Sequence, residues 1–181
     1  MQRLTIAFVV LAVALLGNVT FGQEAVGIPD EIIKEIDTLA GTWKVEGKLG
    51  GKEHTGGFTC RWARTEDKKQ VCLMGNFSYK TGDVSWSGVT LIGWNAAKKC
   101  IEDRGFDANG GNATLCWTVV SPTHYKGEIT MVQGGTTITG KADLIKKGPA
   151  EIVLEAEMDN GDVSRVVFRK VKQERKVEAK R

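Results

Sequence analysis

The sequence predicts an all-β protein: an up-and-down antiparallel β-barrel of about ten strands, preceded by one short N-terminal helix. Three observations lead there. Nine turn signals recur between Gly50 and Gly161 at intervals of about 12 to 16 residues, the runs between them are rich in Val, Ile, Thr and aromatics, and no helical periodicity interrupts the series. Several runs also alternate, with Ile152, Leu154, Ala156 and Met158 on one face and Tyr125, Gly127, Ile129 and Met131 likewise. One-sided burial of this kind suits an antiparallel sheet that curls closed and so loses its open edges. With 41% hydrophobic and 26% charged residues in 181, the chain is neither disordered nor a multispan helical membrane protein.

The elements follow in order. Residues 1–22 have the layout of a secretory signal peptide: Arg3 near the start, an apolar run from Leu4 to Leu16 broken only by Thr5, then Thr20 and Gly22 at the small positions before a cut near Gly22. The run is shorter than the ~18 residues of a spanning helix, so a cleaved leader is expected rather than an anchor. The expected location is therefore secreted or periplasmic. Residues 23–38 form the N-terminal segment, in which Pro29 to Leu39 places Ile32, Ile36 and Leu39 on one helical stripe, with Asp30 and Glu31 in the first turn and Gly41 past the end.

From residue 39 to 170 the turns are Gly50-Gly51, Glu66-Asp67-Lys68, Thr81-Gly82-Asp83, Asn95-Ala96-Ala97, Asn109-Gly110, Ser121-Pro122, Gly134-Gly135, Lys147-Gly148-Pro149 and Asn160-Gly161. They separate ten strands of one barrel domain. An eight-stranded barrel with an outlying hairpin gives the same turn count. Residues 171–181 read as a basic, flexible tail. From Lys170 to Arg181 there are six bases and two acids, so the net +3 of the chain is a property of its end, and weak contact with an anionic surface is the partner it suggests. The body carries no basic stripe, which excludes nucleic acid as the expected partner.

Four cysteines in an exported chain are read as two disulfides. Cys60 and Cys72 flank one turn, Cys100 and Cys116 another, so the expected bridges are Cys60–Cys72 and Cys100–Cys116 across neighbouring strands. No CxxC is present and neither His54 nor His124 stands at ligand spacing from a cysteine, so neither metal nor cofactor is expected.

Leu39-Ala40-Gly41-Thr42-Trp43 carries a Gly-x-Trp where the helix meets the first strand, which resembles the opening motif of the lipocalin-like, or calycin, barrels. In those a Trp closes one end against an Arg of the last strand; the resemblance implies that Trp43 pairs with Arg169, or alternatively Arg165. Leu91-Ile92-Gly93-Trp94-Asn95-Ala96-Ala97-Lys98 and Gly105-Phe106-Asp107-Ala108-Asn109-Gly110 look like the strand-turn motifs of a broad bacterial family of secreted barrel domains of unknown function. Asn95 stands where Asp is commoner. That resemblance spans roughly Leu39 to Lys170 and implies a fold without a chemistry. The Thr-Asp-Tyr triplet of true lipocalins is absent. The late histidine of the haem-binding nitrobindin barrels is missing too, since none follows His124.

No catalytic residue is expected. The hydrolase elbow, the zinc-protease helix motif and the phosphate loop are all missing, and Glu102 and Asp103 point to opposite faces of a strand. Asp107 to Asn112 lacks the ligand spacing of a calcium loop, and His124 and Glu128 stand roughly 13 Å apart along their strand. The expected function is binding of a small apolar or aromatic molecule in the barrel. Its candidate lining is Trp62, Met74, Trp86, Trp94, Trp117 and Met131, where Trp86 and Trp94 share one parity and Phe58, Cys60 and Trp62 another. Two alternatives stand beside it: an envelope-interaction module with a filled barrel, presenting Val71, Leu73, Phe77 and Tyr79 outward, and an enzyme using the cavity.

Overall fold

The computed structural model describes residues 27–172; the expected signal peptide and most of the expected tail lie outside them. Pro29, with φ fixed near the helical value, leads into α1 (Asp30–Asp37), whose first-turn acids Asp30 and Glu31 face the positive end of the helix dipole. Ile32 and Ile36 lie one turn apart on the buried face. The helix ends two residues before the expected Leu39: Thr38 Oγ1 donates to the Glu35 carbonyl at 2.7 Å, and the Leu39 amide to that of Ile36 at 3.0 Å. Leu39 nonetheless packs on the same core.

Ten strands follow: β1 (Gly41–Leu49), β2 (Lys52–Arg64), β3 (Gln70–Thr81), β4 (Val84–Asn95), β5 (Cys100–Asp107), β6 (Asn112–Ser121), β7 (His124–Gln133), β8 (Thr136–Gly148), β9 (Glu151–Met158) and β10 (Val163–Lys170). Each pairs antiparallel with its neighbours in sequence, and β10 returns to β1, so the sheet closes without an edge. The expected ten-strand up-and-down barrel is the observed one, with every turn at its signal. Tight curvature requires backbones to approach closely at several glycines, among them two at positive φ. A Cβ on Gly47 (φ 153°) would sit 2.2 Å from the Arg165 carbonyl oxygen, and one on Gly56 (φ 146°) 2.2 Å from that of Ser78.

The registers fix which residues point inward. Trp43 lies opposite Phe58 on one side and Lys170 on the other, Cys60 opposite Gly75, Trp62 opposite Leu73, Ile92 opposite Asp103, and Ile101 opposite Trp117. All of these face the interior. At the end of the barrel where β1 begins, α1 lies across the opening as a floor. There Ile32, Ile36, Cys60, Leu73, Ile92, Ile101, Trp117 and Tyr125 form one buried cluster, with Trp62 and Trp94 packed against it. The opposite end carries only the tight hairpins at Gly50-Gly51, Gly82-Asp83, Ala108–Gly111, Gly134-Gly135 and Asp159–Asp162.

One disulfide of the expected two is present. Cys100 and Cys116 are bonded across β5 and β6 with their Cα atoms 5.7 Å apart. Cys60 and Cys72 are free thiols, which corrects the expected pairing. The register explains it. Cys60 stands opposite Gly75 and Cys72 opposite Ala63, so Cys60 points into the barrel while Cys72 points out.

Candidate functional site

The interior divides into two halves along the barrel axis. At the helix end the side chains are sealed: Trp43, Cys60, Leu73, Ile101, Trp117, Tyr125 and Ile152 are all buried. A gap lined by Leu39, Ile101, Trp117, Tyr125 and Leu144 holds about 20 Å³, room for one water. In the hairpin half the inward side chains Phe77, Tyr79, Trp86, Leu115, Ile129, Met131, Ile138 and Met158 all keep accessible surface, although they sit on the concave side of a closed sheet. His54 and Val166 in this half are buried, so it is partly filled; its accessible inner surface, called the lumen below, is the candidate site.

Its aromatic wall comes from β2, β3 and β4. His54, Phe77, Tyr79 and Trp86 form one continuous cluster, with ring centroids 4.9 Å apart for His54–Tyr79, 5.2 Å for the stacked pair Phe77–Tyr79 and 5.0 Å for Tyr79–Trp86. Thr81 ties the cluster at the rim, accepting from Trp86 Nε1 at 3.1 Å and lying 2.9 Å from His54 Nδ1. Burial lowers the His54 pKa, which keeps its ring neutral. The facing wall on β6 to β9 is aliphatic, with Leu115, Ile129, Met131, Ile138 and Met158 inward.

Small residues make the room between the walls. Gly88 and Gly105 lie close together under the Phe77 ring: a Cβ on Gly88 would meet Phe77 Cζ at 2.6 Å, whereas one on Gly105 would meet Phe77 Cε1 at 3.8 Å and the Val89 carbonyl oxygen at 3.9 Å, ordinary contacts. One step along the same face of β5, Asp103 projects into the lumen. Its Oδ1 accepts a short hydrogen bond from Thr90 Oγ1, and no other described side chain bonds to the carboxyl. Burial pushes the Asp103 pKa up to about 6, against the lowering effect of Thr90. It is half-buried, and its register places it on the concave side of the sheet. The Tyr79 hydroxyl is also raised, by burial first and then by the Asp103 charge.

The expected lining residues separate accordingly. Trp86 and Met131 stand in the lumen. Trp94 and Trp117 belong to the sealed half, Trp117 lying so close over Gly127 that a Cβ there would be 2.6 Å from its ring. Trp62 is also at the floor, where its Nε1 donates to Asp37 Oδ1 of α1 at 2.8 Å. Met74 is a correction: it is 52% exposed on the outer face, because β3 presents Leu73, Gly75, Phe77 and Tyr79 inward. The same register overturns the expected outward face of Leu73, Phe77 and Tyr79. The exterior apolar patch is instead Met74 with Val89, Leu91 and Phe106, all exposed on β3 to β5.

Trp43 is buried at the floor and donates from Nε1 to the Leu39 carbonyl at 2.9 Å. Its cation is Lys170, whose Nζ stands 5.2 Å from the ring centroid. Arg169 is therefore corrected as the barrel-closing partner. It alternates to the outside of β10 and pairs there with Glu46 and, at 3.2 Å, with Glu151. Arg165 is likewise outside, 3.1 Å from Glu155. His124 faces outward as well and bonds to Asp143, away from Glu128.

A second depression, of about 390 Å³, opens beneath the floor among Glu35, Thr38, Trp43, Pro122 and Lys146. Its charges are already matched: Lys146 Nζ donates to Glu35 Oε2 at 2.6 Å and also meets the Tyr125 hydroxyl, which itself donates to Glu35. Those contacts hold the Glu35 pKa down against the upward pull of burial. This cluster locks α1 onto the barrel and leaves no reactive group idle.

The lumen contacts that sequence reasoning missed are His54, Phe77, Tyr79, Thr90 and Asp103. The alternation Leu73-x-Gly75-x-Phe77-x-Tyr79 carried the signal, but bridging Cys60 to Cys72 assigned that face to the outside.

No family model matches the chain, and no curated protein does. Among solved structures it is similar to designed β-barrels. One is a redesigned barrel, mFAP1, bound to DFHBI, at 14% identity over 75% of this chain and 98% of that one, with a TM-score of 0.41. A second is mFAP0, also bound to DFHBI, at 15% identity over 74% and 99%, TM-score 0.40. A third is a de novo fluorescence-activating barrel at 16% identity over 75% and 96%, TM-score 0.38. Likeness at this level leaves the ligand question to the chain's own residues.

Proposed function

We propose that this protein binds a small, largely apolar or aromatic molecule in the hairpin half of its barrel, as a carrier or scavenger rather than an enzyme, after export from the cytoplasm. The observation that carries the binding reading is the accessible lumen itself. An antiparallel barrel built only for stability would fill both halves, as this one fills the helix end. Here an aromatic wall and an aliphatic wall face each other with glycines between them. Apolar walls with few polar groups are the usual make-up of a small-molecule site. Export is supported by the leader-like start and by the Cys100–Cys116 bridge, which suits an oxidising compartment.

Native mass spectrometry of the mature protein isolated from its own host, compared with the denatured mass, tests this. A reproducible excess mass lost on denaturation is expected. No excess mass, with a melting temperature unmoved by fatty acids and aromatic compounds, would overturn the lumen reading. That result would favour the second reading, in which the exterior patch of Met74, Val89, Leu91 and Phe106 docks a protein partner.

A further inference from the structure

The lumen reading leaves open how the ligand is recognised, and one group inside decides its chemistry. Among the described residues, the other charged side chains on inward positions are matched or, like Lys52, stand exposed at the hairpin rim. Lys146 is held by Glu35, Lys170 lies over Trp43 with its Nζ 3.4 Å from the Thr38 carbonyl, and Asp107 accepts from the backbone amides of Asn109 at 2.7 Å and Gly111 at 3.1 Å. Asp103 and Asp107 each keep one oxygen, Oδ2, without a described partner, but Asp107 ends β5 at the hairpin rim, whereas Asp103 stands deeper, opposite Ile92 and Leu115 on the concave side. Cys60, Tyr79 and His54 are the titratable groups on neighbouring inward positions, and none of them is a cation: burial holds His54 neutral and pushes the Cys60 thiol up to about 12.

We infer that the lumen takes an amine: a flat aromatic molecule whose protonated nitrogen docks on Asp103 while its ring lies against Phe77, Tyr79 and Trp86. The inference rests on the lumen reading above. A carboxylate partly withdrawn from water is costly when unpaired, and a ligand ammonium supplies the missing partner through a charge-assisted hydrogen bond. The aromatic faces beside it attract the same charge. An anionic ligand would meet Asp103 with like charge, and a neutral one would gain a weaker bond. Geometry adds a length: Asp103 and Gly105 lie two residues apart on one face of β5, roughly 7 Å. The Phe77 edge borders Gly105, so ring and nitrogen are separated by an arm of two or three carbons.

The test is calorimetric titration at pH 8 with tryptamine, its neutral counterpart tryptophol and the acid indole-3-propionate. Tryptamine is expected to bind at least about tenfold more tightly than tryptophol, with the acid weakest. In Asp103→Asn the preference for the amine should vanish while tryptophol still binds. Asp103→Ser repeats the comparison should the first variant fail to fold. Equal affinity for amine and alcohol in the unmodified protein, or a preference that survives at Asp103→Asn, would overturn the amine assignment and leave the lumen reading intact. No binding by any of the three, together with no excess native mass, would overturn both. Gly105→Leu, which fills the space beside Phe77, should abolish tryptophol and tryptamine binding together; affinities unchanged in that variant would place the ligand elsewhere and overturn the assignment.

Discussion

The two ends of this barrel are built on the same strands and differ in what fills them. At the helix end, α1 brings Ile32 and Ile36 down onto Leu73, Ile92, Ile101 and Trp117, and the polar atoms there are matched by Trp62–Asp37 and Lys146–Glu35–Tyr125. At the hairpin end no such element descends, and the inward rings of Phe77, Tyr79 and Trp86 stay accessible. The lesson is one of division. Stability is concentrated where a helix completes the core, which leaves the other half free to hold a carboxyl that a stability-driven design would not keep.

The largest expected effect follows from that division. Trp43→Ala removes a ring that is 2% exposed and cannot be replaced by water, so it should cost about 3–5 kcal/mol in denaturant unfolding. Met131→Ala in the lumen, where the side chain already borders open space, should cost about 1 kcal/mol. Comparable losses at both sites would mean that the hairpin half is packed as tightly as the floor.

Next is the Cys100–Cys116 bridge. Replacing both cysteines by Ala should cost about 3 kcal/mol, from the unfolded-chain entropy of closing a loop with a separation of 16 residues. The denatured, unreduced protein should weigh two protons less than the reduced form and carry two titratable thiols. Cys72 should react with a maleimide before Cys60 in the folded state, because Cys60 is buried and its thiol pushed up to about 12. Loss of four protons instead would restore the second bridge.

How much of this was legible in the sequence depends on what a signal is tied to. Turn positions rest on local residues such as Gly50-Gly51 or Asn160-Gly161, and every one lies where its signal stands, so strand number and order followed. Facing depends on register, which is a long-range property; a single wrong constraint reverses a strand. The assumption that Cys60 and Cys72 are bonded turned β3 over, which sent Met74 inward and hid Phe77 and Tyr79. Arg169 failed as the partner of Trp43 for the same reason, one position of alternation separating it from Lys170. Asp103 was seen to point away from Glu102, but nothing local says which of the two faces the lumen.

Asp103 gives the next prediction. Its pKa of about 6 in the folded protein exceeds that of an unfolded Asp near 3.9, so the folded state binds its proton more tightly. Stability from this group is fully present below about pH 4 and is lost as pH rises through 6, a change of about 2–3 kcal/mol. The carboxylates whose pKa is lowered by their hydrogen-bonded partners, such as Glu35 and Glu102, act in the opposite sense and lose their contribution as pH falls. The informative quantity is therefore the difference between the unmodified protein and Asp103→Asn, measured from pH 4 to 8. The variant should gain on the original as pH rises. A constant difference would mean that the carboxyl is solvated and that the lumen is open to bulk water at mid-barrel.

The smallest effect is also the sharpest contrast of the two halves, because it makes one identical change at both. A methyl group at Gly127 would lie 2.6 Å from the Trp117 ring, inside a sealed cluster whose neighbours cannot yield, so Gly127→Ala should destabilise by about 1–3 kcal/mol. At Gly105 the same methyl meets the Phe77 edge at 3.8 Å and the Val89 carbonyl at 3.9 Å, both ordinary contacts, and the backbone there is not in the left-handed region that favours glycine. Ala also restricts the unfolded chain, so Gly105→Ala should be neutral or stabilise by about 0.5 kcal/mol. Thermal unfolding of the two variants side by side separates the cases. Equal destabilisation at both positions would show that β5 packs against something in the lumen as firmly as Trp117 packs at the floor, and the space assigned to a ligand would then already be occupied by the protein itself.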